Sequence, residues 1–283
     1  TGSRIVIEPP GPKAKALIEQ DRRYIATATK ASPLAVREAK GGIVTDVDGN
    51  TYIDFVSGVS VLNVGFQHPA VVKAVQDQAA RLFHYAGTDF YYDVQVDLAK
   101  KLAGSTPGDH DKKVFFSNSG AEANEAAMKL ARWSTKRKMY ISFIGGFHGR
   151  TMGALSLTAS KSVQQERYFP TVPGVIHIPY AYCYRCAYGM SPDSCGMHCA
   201  KILEETYFPS FLPSDEVAAL FLEPVQGESG YIVPPKTFVQ EISRICREHG
   251  ILLVDDEVQA GMGRTGRMWA IEHFGVVPDV LCT

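Results

Sequence analysis

Short apolar runs that alternate with segments of helical spacing constrain the fold of this chain most. Strands buried on both faces of a sheet consist of continuous apolar runs, and a helix between two of them lets the strands run parallel. The alternation therefore predicts an α/β protein, with a mostly parallel sheet covered by helices on both faces. The five runs are KVFF (113–116), MYISFI (139–144), GVIHI (174–178), VAALFL (217–222) and ILLV (251–254).

The first quarter of the chain has a different pattern. Residues 44–56, VTDVDGNTYIDFV, alternate between apolar and polar side chains around Asp48-Gly49, which predicts a β-hairpin. Helical spacing follows from His68 to Leu82. We therefore expect a small antiparallel sheet and a helix ahead of the parallel sheet.

Charge and hydropathy exclude some functions. The 283 residues carry 29 basic and 30 acidic side chains, so no net field draws the chain to polyanions, and we expect no nucleic-acid partner. No apolar run approaches the roughly 18 residues that span a bilayer, and the N-terminal TGSRIVIEPPGP lacks the apolar centre of a signal peptide. We expect no membrane contact and a cytoplasmic location.

Polar and glycine-rich segments follow four of the runs, where parallel sheets bind their ligands. Taken alone, the S-x-x-E pattern that starts at Ser119 fits an ordinary helix cap, and the others fit a turn or a surface loop. A helix that begins at Gly120 also fits an anion site, because its free amides and its dipole attract phosphate. The segments are SNSGAEANEAAMKLAR (117–132), GGFHGRT (145–151), EPVQGESG (223–230) and DDEVQAGMGRTG (255–266).

Four motifs in this order resemble the class III (omega) aminotransferases, which include 4-aminobutyrate aminotransferase. They are NSGAEANEAAMKLAR, FHGRT, EPVQGESG and DEVQAGMGRTG. The resemblance runs from about Gly41 to the last residue, and DGNTYIDFVSGVSVLNVGFQHP (48–69) is similar to the N-terminal segment of the family. It implies a pyridoxal-phosphate-dependent enzyme of fold type I.

The resemblance also implies which residues bind pyridoxal phosphate. Asp256 faces the pyridine nitrogen, where a carboxylate favours the protonated ring. Asp255 lies on the other face of the strand, and we expect it to be a solvated or hydrogen-bonded structural acid. The remaining implied residues are Ser119, Gly120 and Ala121 at the phosphate, Phe147 and Val258 on the two ring faces, Gln259 at the ring hydroxyl, and His148 and Glu223 in the same pocket.

Three further residues are implied for the substrate. Arg150 matches an arginine that receives the distal carboxylate of the amino donor, and a guanidinium fork suits a carboxylate. Glu228 matches an acid that pairs with a C-terminal arginine. Val59 lies where the family has an apolar side chain that lines the pocket.

The resemblance places the Schiff-base lysine at position 285, beyond Thr283. The resemblance also implies that residues 1–67 form an N-terminal interface segment with a helix and a small antiparallel sheet. Residues 68–283 then form most of the large domain, truncated before the lysine, and the C-terminal small domain is absent from this sequence. It also implies a twofold homodimer.

Four cysteines, Cys183, Cys186, Cys195 and Cys199, lie close together in the sequence, with His198 beside the last. C-x2-C followed by C-x3-C can form a tetrahedral zinc site, but the spacer between the pairs is short for one. We therefore expect a cysteine-rich insertion without metal. A similar insertion occurs in a branch of the class III enzymes that contains both aminotransferases and racemases.

Three functions follow from these observations. The first is transfer of an amino group from an ω-amino acid, with 4-aminobutyrate as the expected donor, to a 2-oxo acid acceptor, 2-oxoglutarate. The second is racemisation or epimerisation of an amino acid with the same cofactor. The third, from another class, is a metal-binding or structural module organised by the cysteines, which would contain zinc and no pyridoxal phosphate.

Overall fold

The structure is a computed structural model that describes residues 2–26, 30 and 32–283. Its internal contacts divide the chain into two compact units, one that ends at Tyr92 and one from Asp93 to Thr283. The division of roles after residue 67 stays a prediction. No helix of the described residues is long and apolar enough to cross a membrane.

The unit that ends at Tyr92 contains a three-stranded antiparallel sheet in the order β1-β2-β3. Asp46 shapes the turn between β2 and β3, because its carboxylate accepts hydrogen bonds from the amides of Asp48 and Asn50. The predicted hairpin around Asp48-Gly49 is confirmed. The elements are α1 (Pro12–Tyr24), β1 (Val36–Lys40), β2 (Ile43–Asp46), β3 (Thr51–Ile53), α2 (Ser57–Ser60) and α3 (Pro69–Arg81).

The second unit is built on a five-stranded sheet in the order β5-β4-β6-β7-β8, in which all neighbouring strands are parallel. The strands are β4 (Met139–Phe143), β5 (Val175–Ile178), β6 (Val217–Leu222), β7 (Leu252–Asp256) and β8 (Val280–Cys282). The helices are α4 (Asp93–Ser105), α5 (Gly120–Thr135), α6 (Met152–Leu157), α7 (His198–Ile202), α8 (Phe208–Ser210) and α9 (Lys236–Glu248).

Both faces of this sheet are covered, as predicted. On one face α5 contributes Ala127, Met128 and Ala131 to a core with Val254 of β7. On the other face the apolar side of α9 joins Leu253 of β7 in a larger core. Adjacent residues of β7 thus point into different cores, which is why its sequence is apolar without alternation.

One predicted strand is wrong, and one strand was missed. Residues 113–116, KVFF, have no strand partner among the described residues, and Phe115 is 76% exposed. An apolar run becomes a strand only where a neighbour accepts its backbone hydrogen bonds. The missed strand is β8, which pairs with β7 at the edge of the sheet.

Candidate active site

The carboxyl ends of β4, β6 and β7 lie side by side, because β6 pairs in parallel with both of the others. The segments that follow are 144–151, 223–231 and 257–266, and the N-terminus of α5 joins them through the hydrogen bonds described below. The four segments singled out in the sequence therefore meet at one edge of the sheet, where parallel sheets bind ligands.

Three donors hold the carboxylate of Asp256 at the end of β7, where it is 3% exposed. Oδ2 lies 2.7 Å from Nδ1 of His148 and accepts a hydrogen bond from Nδ2 of Asn124 at 2.8 Å, while Oδ1 accepts the amide of Val258 at 3.1 Å. Burial alone lowers the pKa of His148, but the hydrogen bond and charge of Asp256 and the charge of Glu223 raise it above its usual value. His148 and Asp256 therefore form a buried ion pair.

Asp255 belongs to the opposite face of β7, as strand alternation predicts. Its side chain is fully buried, so the expectation of a solvated acid is wrong. The carboxyl group of Asp255 interacts with that of Glu257, as the hydrogen-bonded alternative requires. Burial, followed by the charges of Glu257 and Asp256, raises the pKa of Asp255 well above its usual value, which favours the neutral acid.

Helix α5 begins at the predicted anion site. Oγ of Ser119 caps the helix by accepting the amide of Glu122 at 3.2 Å, as the S-x-x-E pattern predicts. The carboxylate of Glu122 accepts the amide of Asn118 at 2.6 Å. Because of helix geometry, the amides of Gly120 and Ala121 have no acceptor within the helix, and they point out of its positive end.

Two glycines let the neighbouring segments approach this turn. A Cβ atom on Gly120 would lie 2.8 Å from both methyl groups of Val258, and one on Gly149 would lie 2.6 Å from Cβ of Ala121. Gly149 also has a φ of +132°, which L side chains rarely adopt. The close packing of these segments therefore depends on two positions without side chains.

Glu223 ties the loop after β4 to the loop after β6. Its Oε1 accepts the amide of Phe147 at 2.7 Å, and its Oε2 accepts the amide of Gly227 at 3.0 Å. Burial raises the pKa of Glu223 to about 7, although the charge of His148 and the two amides act in the other direction. A Cβ atom on Gly227 would lie 1.3 Å from Oε1 of Gln259, so the Gln259 amide packs on the same loop.

The raised pKa of Glu223 predicts a pH-dependent stability. The unfolded chain loses this proton at the usual pKa of 4.5, whereas the folded protein keeps it up to about pH 7. The stabilisation that comes from the bound proton is therefore complete below pH 4.5 and is lost as the pH rises through about 7. The glutamine of Glu223→Gln is neutral at every pH, so the free energy of unfolding of this variant relative to that of the wild type should increase as the pH rises. From about pH 5 to about pH 8 the increase should reach up to about 3 kcal/mol, at roughly 1.4 kcal/mol per pH unit. Urea denaturation of both proteins at several pH values measures this. A difference that does not change with pH would contradict the prediction.

Arg150 is exposed and Glu228 is partly exposed in the loops that follow β4 and β6. The guanidinium carbon of Arg150 lies 5.9 Å from the ring centroid of Phe147, and within the described residues no carboxylate pairs with it. Glu228 accepts a hydrogen bond from Lys161 at 2.7 Å, and Nε2 of Gln164 lies 3.4 Å from the same oxygen. Lys161 was not singled out in the sequence, because a lone lysine in a polar loop carries no signal.

Val59 lies in the unit that ends at Tyr92. It is part of α2, where it has a φ of +65°, and its side chain is 58% exposed. Positive φ is costly for a β-branched residue, so the surrounding structure must enforce it. The predicted role of Val59 in lining the pocket stays a prediction.

Comparison with known proteins identifies the family. Residues 24–283 match the family model of the class III aminotransferases. The chain belongs to the class III aminotransferase family. The family that the four sequence motifs indicated is thus confirmed.

The relatives of this class III chain include two kinds of enzyme. It is 39% identical to an alanine/serine racemase of Pyrococcus horikoshii over 98% of the chain and 60% of that protein. It is 44% identical to a probable 4-aminobutyrate aminotransferase of Bacillus subtilis over 88% of the chain and 56% of that protein. The chain thus spans between about half and two thirds of the length of these relatives.

A solved structure of a relative contains the cofactor of the family. The chain superposes with a TM-score of 0.84 on the taurine:2-oxoglutarate aminotransferase of Bifidobacterium kashiwanohense in complex with pyridoxal phosphate and glutamate. The match has 28% identity and covers 95% of this chain and 60% of that one. Class III aminotransferases use pyridoxal phosphate.

The residues of this chain fit that cofactor. The first turn of α5 offers unpaired amides to a phosphate, and Gly120 keeps the turn against Val258 without the Cβ atom that would fill the space. Phe147 and Val258 are each partly exposed, so a ring could pack on the aromatic side chain of the first and the methyl groups of the second. The buried carboxylate of Asp256 supplies an acceptor for a protonated ring nitrogen.

The cysteine segment gives no support to a metal site. The four cysteines and His198 line one small cavity. Burial, followed by the nearby thiols, raises the pKa of Cys183 and raises that of Cys199 to about 11. In the described part of the chain, no group of three or more His, Cys, Asp or Glu side chains is arranged to hold a metal ion.

Proposed function

We propose that the full-length protein is a pyridoxal-phosphate-dependent aminotransferase that moves the amino group of an ω-amino acid to 2-oxoglutarate. The observation that carries this proposal is Asp256, a buried carboxylate paired with His148 beside the N-terminus of α5. The similarity to a probable 4-aminobutyrate aminotransferase supports 4-aminobutyrate as the donor. The lysine at position 285 and the cytoplasmic location stay predictions.

The side chains of the site have separate roles in this proposal. Bound pyridoxal phosphate supplies an electron sink for the bond that breaks at the carbon bearing the amino group. The amides of Gly120 and Ala121, with Ser119, bind its phosphate at the helix N-terminus. Asp256 keeps the proton on the ring nitrogen, and Nδ1 of His148 holds its Oδ2 at 2.7 Å. The other contacts proposed for the ring are Phe147 and Val258 on its faces, Gln259 at its hydroxyl, and Glu223 as the support of the Phe147 loop.

Three residues act on the substrate in the same proposal. Arg150 receives the distal carboxylate of the donor, and it is suited to this because no carboxylate of the described residues neutralises it. Glu228 exchanges partners as carboxylate substrates enter, and Lys161 is the partner it has in this structure. The role of Val59, which the family resemblance implies, stays a prediction.

The transfer is tested with the full-length protein. Incubation with 4-aminobutyrate and 2-oxoglutarate should yield one glutamate for each succinate semialdehyde. A protein that binds pyridoxal phosphate but yields no glutamate from any ω-amino acid would contradict the proposed reaction.

A racemase is the second candidate, supported by the 39% identity to the alanine/serine racemase over nearly the whole chain. Such an enzyme would remove the α-proton of an amino acid and add a proton to the other face of the same carbon. In deuterated water it would convert a single L-amino acid to the D form and incorporate deuterium with no oxo acid present. An aminotransferase without racemase activity would not invert the amino acid under these conditions.

We propose that a second copy of the chain is its partner. Within the described residues, α3 has no buried side chain, and Phe55, Phe83 and Tyr91 are each at least 89% exposed. Exposed apolar surface of this extent is typical of an interface. Analytical ultracentrifugation of the full-length protein should give twice the mass of one chain. A monomer at micromolar concentration would contradict this prediction.

A further inference from the structure

Asn124 connects three parts of the candidate site from one buried position on α5. Its side chain is 1% exposed. Its Nδ2 atom lies 2.8 Å from Oδ2 of Asp256, 3.0 Å from the carbonyl oxygen of His148 and 3.2 Å from that of Gly120. These acceptors belong to the end of β7, the loop after β4 and the proposed phosphate-binding turn.

The amide of Asn124 can adopt only one orientation here. Its two hydrogens face three acceptor oxygens, whereas its own Oδ1 is buried and has no donor among the described residues. A flipped amide would place Oδ1 against all three oxygens. An unpaired buried acceptor costs free energy, so the contacts made by Nδ2 must compensate for it.

His148 alone does not fix the carboxylate of Asp256. The Val258 amide on Oδ1 comes from the chain segment of Asp256 itself, and Asn124 adds from α5 a second donor to Oδ2 beside His148. Oδ2 already has two partners, His148 and Asn124. Among the described residues Oδ1 accepts one hydrogen bond, from the amide of Val258, so it can accept another.

We infer that Asn124 is a positioning residue, which turns Oδ1 of Asp256 towards the ring nitrogen of the cofactor and fixes its distance from the phosphate-binding turn. The inference rests on the proposed function, because it assigns Asp256 to the pyridine nitrogen. Asn124 itself touches neither the cofactor nor the substrate. Its effect is on the protonation of the ring rather than on the affinity for the amino donor.

The test uses the full-length protein loaded with pyridoxal phosphate that carries 15N in its ring. The 15N chemical shift reports whether the ring nitrogen is protonated. Asn124→Ala should lower the pH midpoint of that protonation by roughly one unit or more, since Asp256 loses its orientation. It should lower kcat about 10- to 100-fold, with KM for the donor changed less than about threefold.

Asn124→Asp adds a signature that a structural defect cannot produce. An aspartic acid at 124 can donate to Asp256 while it is protonated, but its anion repels Asp256. The pH profile of kcat in this variant should therefore show an ionisation that Asn124→Ala lacks, with kcat closer to the wild type on the low-pH side where Asp256 keeps its second donor. The titratable residues in contact with Asn124 are Asp256 and His148, the charge of Glu223 acts on His148, and the wild type provides the background for all three.

Ser142→Ala is the matched control. Ser142 is fully buried in β4 and donates one hydrogen bond to the carbonyl oxygen of Leu157 at 2.7 Å, so its loss costs a buried contact away from Asp256. It should leave the 15N shift unchanged. Unchanged ring protonation in both Asn124 variants would overturn the inference.

The outcomes separate this inference from the proposed function. The proposed function itself would be contradicted if the wild type bound no cofactor, or if the ring nitrogen of the bound cofactor were never protonated. Should both Asn124 variants fail to fold, a crystal structure of the loaded wild type decides. Nδ2 of Asn124 within about 3.2 Å of Oδ2 of Asp256 supports the inference, and a separation beyond about 4 Å overturns it.

Discussion

Asp256→Asn in the full-length protein should leave pyridoxal phosphate bound and slow removal of the proton from the amino-bearing carbon on the order of 10³-fold. Binding survives because the phosphate is held at the N-terminus of α5. The rate falls because an amide at 256 has no charge to keep a proton on the ring nitrogen. The variant also loses the buried ion pair with His148, whose raised pKa depends on Asp256.

Asp255→Asn is the control that the strand itself supplies. Asp255 is one residue earlier, fully buried and on the opposite face of β7, and its raised pKa favours the neutral acid. Asparagine is neutral and of the same shape, so the rate should stay within about threefold of the wild type. Stopped-flow measurement of one half-reaction with 4-aminobutyrate compares the two variants. Near-normal turnover of Asp256→Asn would remove Asp256 from its role.

The sequence separates the two acids of β7 but does not predict what holds Asp256. Strand alternation separates Asp255 from Asp256 from the sequence alone, and the structure agrees. The donors to Asp256 could not be predicted, because Asn124 and His148 lie 132 and 108 residues away along the chain. A signal for Asn124 existed, since it follows Gly120 by four residues and so shares its face of α5.

The errors in the fold come from the same limit. KVFF and VAALFL are similar apolar runs, yet only the second has strand neighbours on both sides. Pairing is a long-range property, and local composition does not encode it. The strand β8 was missed for the converse reason, since its three residues have too short a pattern to read.

Arg150→Lys should reduce kcat/KM for 4-aminobutyrate on the order of 10- to 100-fold, and for an amine of similar length without a carboxylate less than about threefold. A guanidinium offers two parallel donors to a carboxylate, whereas an ammonium offers a single point charge. The guanidinium carbon of Arg150 lies 5.9 Å from the ring centroid of Phe147, within the range of a cation–π contact. The loss should therefore follow the carboxylate of the donor rather than its amino group.

The control is Arg167→Lys, at a side chain that is 89% exposed and whose Nε atom lies 3.6 Å from Oε1 of Glu166. It makes the same chemical change at the surface of the same unit, and both donors should react at wild-type rates. Steady-state kinetics with 4-aminobutyrate and butylamine, each with saturating 2-oxoglutarate, measure the two ratios. Equal losses on both donors in Arg150→Lys would show that Arg150 supports the site in general. The distal carboxylate would then have to bind elsewhere, and Lys161 beside Glu228 is the next cation to test.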